Sequence, residues 1–131
     1  MQKFGRQSAA AQRAAERRER EDAAPRLVQE VPDLTSLRLE IEETNEAAAG
    51  ASAPKYVRRV VIGSAPALFL IQCGDPGCTD GGHDVTRPIM EALRSHRTIF
   101  TGSDECRGSI GPASCTRVLR FEGTAEYAAR S

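Results

Sequence analysis

Two close pairs of cysteines constrain this chain more than anything else in it: Cys73-Gly-Asp-Pro-Gly-Cys78, and Cys106 with Cys115 across the loop RGSIGPAS. In the first pair, a C-x4-C turn, two glycines and a proline let the backbone reverse so that both sulfurs face one point. In the second, a C-x8-C loop, Gly108, Gly111 and Pro112 make the same return. Four thiolates in two pairs saturate a tetrahedral ion and leave no open position, which is the pattern of a structural zinc site. Two other readings stand beside it: four small buried residues without metal, since free cysteine packs as a minor hydrophobe, and redox pairs or disulfides. Core size favours metal. Aromatics are 5% of the chain and Trp is absent, so a core of about 75 residues is marginal, whereas structural zinc contributes an apparent ~10–16 kcal/mol to folding.

The 131 residues leave room for one domain plus a tail. Residues 1–30 form the tail: up to Pro25 they are dominated by Ala, Arg, Glu and Gln, good helix formers with little to bury, so the segment reads as helical or disordered. Through Arg26 its charges are seven basic (Lys3, Arg6, Arg13, Arg17, Arg18, Arg20, Arg26) against four acidic (Glu16, Glu19, Glu21, Asp22), with the two signs interleaved, which suits a solvated tail better than a nucleic-acid tether. Residues 31–128 form a single zinc-stabilised α+β domain with a flexible, low-complexity loop at 44–54. Leu37, Leu39 and Ile41 alternate with Arg38, Glu40 and Glu42 and predict a strand over 34–43. Two further strands, over 56–62 and 67–72, flank the turn Gly63-Ser64-Ala65-Pro66 and read as a hairpin. Asp84 and Pro88 begin a helix over 85–95 with Val85, Ile89, Leu93 and His96 on one face. Strands over 98–102 and 115–127 complete the order β-β-β-α-β-β, an antiparallel sheet of about five strands and one helix with the four cysteines at one end.

His83 stands five residues after Cys78 in Gly81-Gly82-His83-Asp84. Beside thiolates it reads as a ligand, as a general base, or, more simply, as a residue before the helix that hydrogen-bonds a thiolate from outside the ligand set. His96 suits the negative end of the helix. Asp75 and Asp104 lie near the cysteines but in polar stretches where a solvated acid is the usual outcome. No H-E-x-x-H, G-x-S-x-G or Walker loop is present, and no H-x-E with P-C-x-x-C, so catalysis has no positive signal.

The stretches ALFLIQCGDPGC, GGHD with its amphipathic helix, ECRG and CTRVLRFEGTAEY resemble small bacterial zinc-knuckle, or zinc-ribbon-like, proteins with a C-x4-C turn before a helix, a resemblance that covers roughly residues 34 to 127. The resemblance implies a structural site at Cys73, Cys78, Cys106 and Cys115 and carries no assigned activity. The expected function is a non-catalytic zinc-binding module that binds another protein. A nucleic-acid or ribosome-associated module, resting on ten basic against eight acidic residues from 55 onward, is the alternative, and a zinc hydrolase or thiol redox protein is the third. Lys+Arg and Asp+Glu are both 18, so no net field selects a partner. Neither a signal-like apolar run nor about 18 consecutive apolar residues occurs, so a cytoplasmic protein with no membrane partner is expected.

Overall fold

The period-two pattern of residues 37–42 is realised in the longest strand of a computed structural model, which describes residues 9–45, 55–74, 78 and 81–129. In chain order the elements are α1 (Ala9–Ala23), α2 (Leu27–Glu30), β1 (Leu34–Asn45), β2 (Lys55–Arg59), β3 (Leu70–Ile71), β4 (His83–Asp84), α3 (Thr86–Arg94), β5 (Ile99–Glu105), β6 (Ser109–Ile110), β7 (Ala113–Ser114) and β8 (Arg117–Tyr127). The architecture is α+β. Four strands form an antiparallel sheet in the order β2-β1-β8-β5, and β3-β4 and β6-β7 form two small sheets of their own. No helix among the described residues is long and apolar enough to cross a membrane.

One face of the sheet carries the core. Leu37, Leu39 and Ile41 of β1 and Leu119, Phe121 and Ala125 of β8 are buried together with Ile89, Met90, Ala92 and Leu93 of α3. Helix α3 begins where the sequence places it. The Thr86 amide donates to Asp84 Oδ1 (3.0 Å), and the Thr86 hydroxyl accepts from the Phe69 amide (2.8 Å). At its other end His96 takes a left-handed backbone (φ 55°), pairs with Asp33 Oδ2 at 2.8 Å and meets the Tyr127 ring edge-on. Among these, Asp33 is the partner that the helix-end reading of His96 omits.

Two glycines in the sheet are set by the aromatics opposite them. Phe100 faces Gly123 and Phe121 faces Gly102 in the β5–β8 register, and the two rings meet edge-on at 6.4 Å. A Cβ on Gly123 would come within 2.2 Å of Phe100 Cζ, and one on Gly102 within 2.4 Å of Phe121 Cζ. Each ring therefore lies over a backbone that has no side chain to push it away. Gly123→Ala is expected to destabilise the domain by about 1–3 kcal/mol through overpacking, read as a lower urea midpoint at unchanged slope. An unchanged midpoint would mean that the ring moves aside freely.

The hairpin expected between residues 56–62 and 67–72 does not form. β2 pairs with β1 instead, Arg38 opposite Arg59 through Glu42 opposite Lys55, and β3 pairs with β4. Ahead of β3, residues 67–69 form a connector with Phe69 buried, whose backbone groups find scattered partners: Ala67 N–H bonds Pro25 O, and Phe69 O accepts from Val85 N–H. Its composition shows burial but not pairing, because a short apolar run has no periodicity to distinguish the two. The stitch continues to the N-terminal segment. Leu27 N–H donates to Ala65 O, Leu27 is fully buried, and the Arg26 guanidinium donates to the carbonyls of Glu21 and Ala24 and to Ser64 O, closing α1 and fixing it to the domain. The loop read at 44–54 lies, beyond Asn45, outside the described residues.

Candidate metal centre

The cysteines gather where the core face of the sheet runs out. Cys106 follows β5, and its amide donates to Arg117 O (2.9 Å), which carries the β5–β8 pairing one step further. Cys115 leads into β8 after the β6-β7 hairpin, with its amide on Gly108 O (2.9 Å). Cys73 leaves β3, and the chain returns past Cys78 into β4. Sγ of Cys73 lies 3.8 Å from that of Cys115 and Sγ of Cys78 lies 3.6 Å from that of Cys106. All four sulfurs fall within 4.8 Å of one another, so they could hold a metal ion. Cys78, Cys106 and Cys115 are buried, and Cys73 is half-buried.

Backbone fills in what the side chains leave. The Gly82 amide donates to Cys106 Sγ (3.4 Å). A Cβ on Gly81 would stand 2.3 Å from Cys78 Sγ and 2.5 Å from Cys106 Sγ, so only glycine lets the chain pass this close. As thiols the cysteines are unlike one another. Burial, helped by the Cys106 and Cys115 sulfurs, pushes the Cys78 thiol up to about 11. Burial opposes ionisation of Cys106 too, but the amides of Gly82 and Gly108 and the sulfurs of Cys78 and Cys115 outweigh it and bring that thiol down to about 7. Of these two thiols, Cys106 is the more readily ionised.

A buried ionic network supports the cluster. Counting along β1 from Leu37, Leu39 and Ile41, the next residue on the core face is Glu43; on β5, counting from Phe100 and Gly102, it is Asp104; Leu119 of β8 lies between them. His83, its side chain wholly buried, bridges the two, with Nδ1 at 2.9 Å from Asp104 Oδ2 and Nε2 at 2.9 Å from Glu43 Oε2. Each ring nitrogen of His83 therefore faces a carboxylate oxygen, and neither is left without a partner. Glu43 Oε1 in turn accepts from Arg117 Nη1 (3.0 Å) and from the Gly74 amide (2.9 Å). Glu43 and His83 between them contact residues within two positions of three cysteines: Gly74 next after Cys73, Asp104 two before Cys106, and Arg117 two after Cys115.

The structure therefore brings together the four cysteines singled out by their spacing. His83 lies beside them, but its nitrogens face carboxylates, and it is the Gly82 amide that meets a thiolate. Asp104 is engaged by the histidine instead of solvated, because it lies in β5 with its side chain on the core face; Asp75 lies outside the described residues. Glu43 and Arg117 are the members that motif reading overlooks. The available signal is parity: 43 continues the 37, 39, 41 series, and a charge on a core face requires a partner.

Next to the cluster, a cleft of 580 Å³ opens between α1 and the first cysteine turn. Arg13 and Arg17 of α1, Arg107, Gly82 and two of the cysteines, Cys73 and Cys78, are among the residues lining it. An exposed pair, Arg20 with Asp84 (3.7 Å), spans its rim. Comparison with protein-family models, with curated proteins and with solved structures found no match to this chain.

Proposed function

We propose that the four cysteines bind one zinc ion as a closed structural centre, and that the domain it holds together acts by binding another protein, without catalysis. The sulfur spacing carries the first half. A tetrahedral ion with Zn–S bonds of about 2.3 Å sets its sulfurs about 3.8 Å apart, against the 3.6 and 3.8 Å of the two close pairs. Iron–sulfur clusters, the other common tetrathiolate guests, place cysteines on different irons and need wider spacing. Four sulfurs leave the ion no position for water, and His83 has no free nitrogen to serve as a base, which supports a non-catalytic reading.

The uncovered face of the sheet supports a protein partner. Across the strands its rows read Arg59, Arg38, Thr124, Ile99; then Val57, Glu40, Glu122, Thr101; then Lys55, Glu42, Arg120, Ser103. Apart from the adjacent Arg59 and Arg38, Glu40, Glu42 and Glu122 interrupt the bases, and no aromatic ring stands among them, so neither a continuous phosphate track nor a base-stacking platform is present on that face. Metal analysis and X-ray absorption of the purified protein are expected to give one zinc per chain with four sulfur neighbours. A folded, metal-free protein with four freely alkylated thiols would refute the centre. Titration with single- and double-stranded nucleic acid at low salt is expected to show no binding; affinity that falls steeply with salt would replace the protein-binding reading.

A further inference from the structure

Two sulfur contacts in the cluster run across the chain. Cys73 is close to Cys115 and Cys78 to Cys106, so each close pair joins a residue of the first turn to one of the second. The two turns also differ in access. Cys73 and Cys78 line the 580 Å³ cleft beneath α1, which Cys106 and Cys115 do not, and Cys73 alone of the four keeps partial exposure. We propose that the centre is an oxidation site, at which a peroxide entering the cleft converts the four thiolates into two crossed disulfides, Cys73–Cys115 and Cys78–Cys106, and expels the metal. This rests on the structural-zinc reading above.

The chemistry needs a thiolate nucleophile and a neighbouring thiolate to resolve it, and the centre supplies both. The Cys73 thiolate attacks the peroxide O–O bond, giving a sulfenic acid and one hydroxide. The Cys115 thiolate then attacks that sulfur, forming the S–S bond and releasing the second hydroxide. Two electrons pass from the sulfurs to the peroxide oxygens. A second peroxide does the same at Cys78 and Cys106, so four thiolates and two peroxides give two disulfides and four hydroxides, and the zinc ion, left without ligands, departs as Zn2+. The partners lie 42 and 28 residues apart. Crossed disulfides therefore fasten the same segments that the metal fastens, whereas pairing within each turn would leave the two turns unlinked.

The test treats the zinc-loaded full chain with two equivalents of hydrogen peroxide, reads released zinc with a chromogenic chelator and maps the disulfides by mass spectrometry. Trypsin cleavage after Arg107 and acid cleavage of the Asp75–Pro76 bond separate the two cysteines of each turn. Bound zinc is expected to fall from one per chain to none in step with the loss of thiols. The linked peptides are expected to join 73 to 115 and 78 to 106, the far-UV spectrum is expected to be kept, and dithiothreitol with zinc should restore the starting state. Pairing within the turns, sulfonic acids without disulfides, or zinc retained with intact thiols would each overturn the proposal. A starting protein without metal refutes the structural-zinc reading instead, and the disulfide map still decides the pairing.

Discussion

Under reducing conditions, Cys106→Ser is expected to abolish stoichiometric zinc and to remove cooperative thermal unfolding. Cys106 continues β5 into the site through Arg117, lies against Cys78 and accepts the Gly82 amide, so its loss opens the sheet end and the cluster together. The energetic case follows from size. Domains of this kind are stable by about 5–15 kcal/mol, and a structural zinc supplies an apparent ~10–16 kcal/mol of that kind of stabilisation, so the reduced, metal-free chain has little left to hold its fold. Far-UV circular dichroism of the variant, and of the parent treated with a strong chelator under reductant, reads the outcome. Zinc added back to the parent should restore the spectrum. A Cys106→Ser protein that melts at the parent's temperature would show that the centre is peripheral to stability.

The second large effect is expected at Glu43. Glu43→Ala strips the counter-charge from Arg117, takes away a hydrogen-bond partner of His83 and releases the Gly74 amide that follows Cys73. Breaking a buried ion pair from one side costs about 3–5 kcal/mol, and loss of groups that orient metal ligands typically lowers metal affinity by about 10–100-fold. Competition titration against a chromogenic chelator measures the second quantity, and a denaturant midpoint the first. Glu43→Gln keeps the shape and can still accept from Arg117 and Gly74, but turns an amide N–H toward His83, so it should fall between parent and Ala. Parent-like affinity and midpoint in Glu43→Ala would remove Glu43 from the hub position.

The features legible in the sequence are those with local signatures. The cysteine turns show themselves by Gly and Pro at short spacing, α3 by Asp84, Pro88 and the 85, 89, 93 stripe, and β1 and β8 by strict alternation. What escapes is pairing. β3, β4, β6 and β7 are two residues each, too short to display a period, and the β6-β7 hairpin lies concealed inside the C-x8-C loop as Ile110-Gly111-Pro112-Ala113. Glu43 escapes for a different reason. A charge that follows an apolar series reads as the end of a buried face until His83 and Arg117, 40 and 74 residues away, arrive to satisfy it. Sequence patterns report which face a residue takes; they do not report which distant group meets it there.

The two inner strands of the sheet, β1 and β8, are the first and the last strands in chain order. On the ribosome β1 is therefore made first and must wait for β8, an interval of several seconds at about 5–20 residues per second. During that wait Leu37, Leu39 and Ile41 have no lasting cover, and the interleaved Arg38, Glu40 and Glu42 are the residues positioned to discourage β1 from pairing with other nascent chains. The proposed metal centre meets the same delay: Cys115 emerges only just ahead of β8, so its fourth ligand arrives when the sheet is nearly complete.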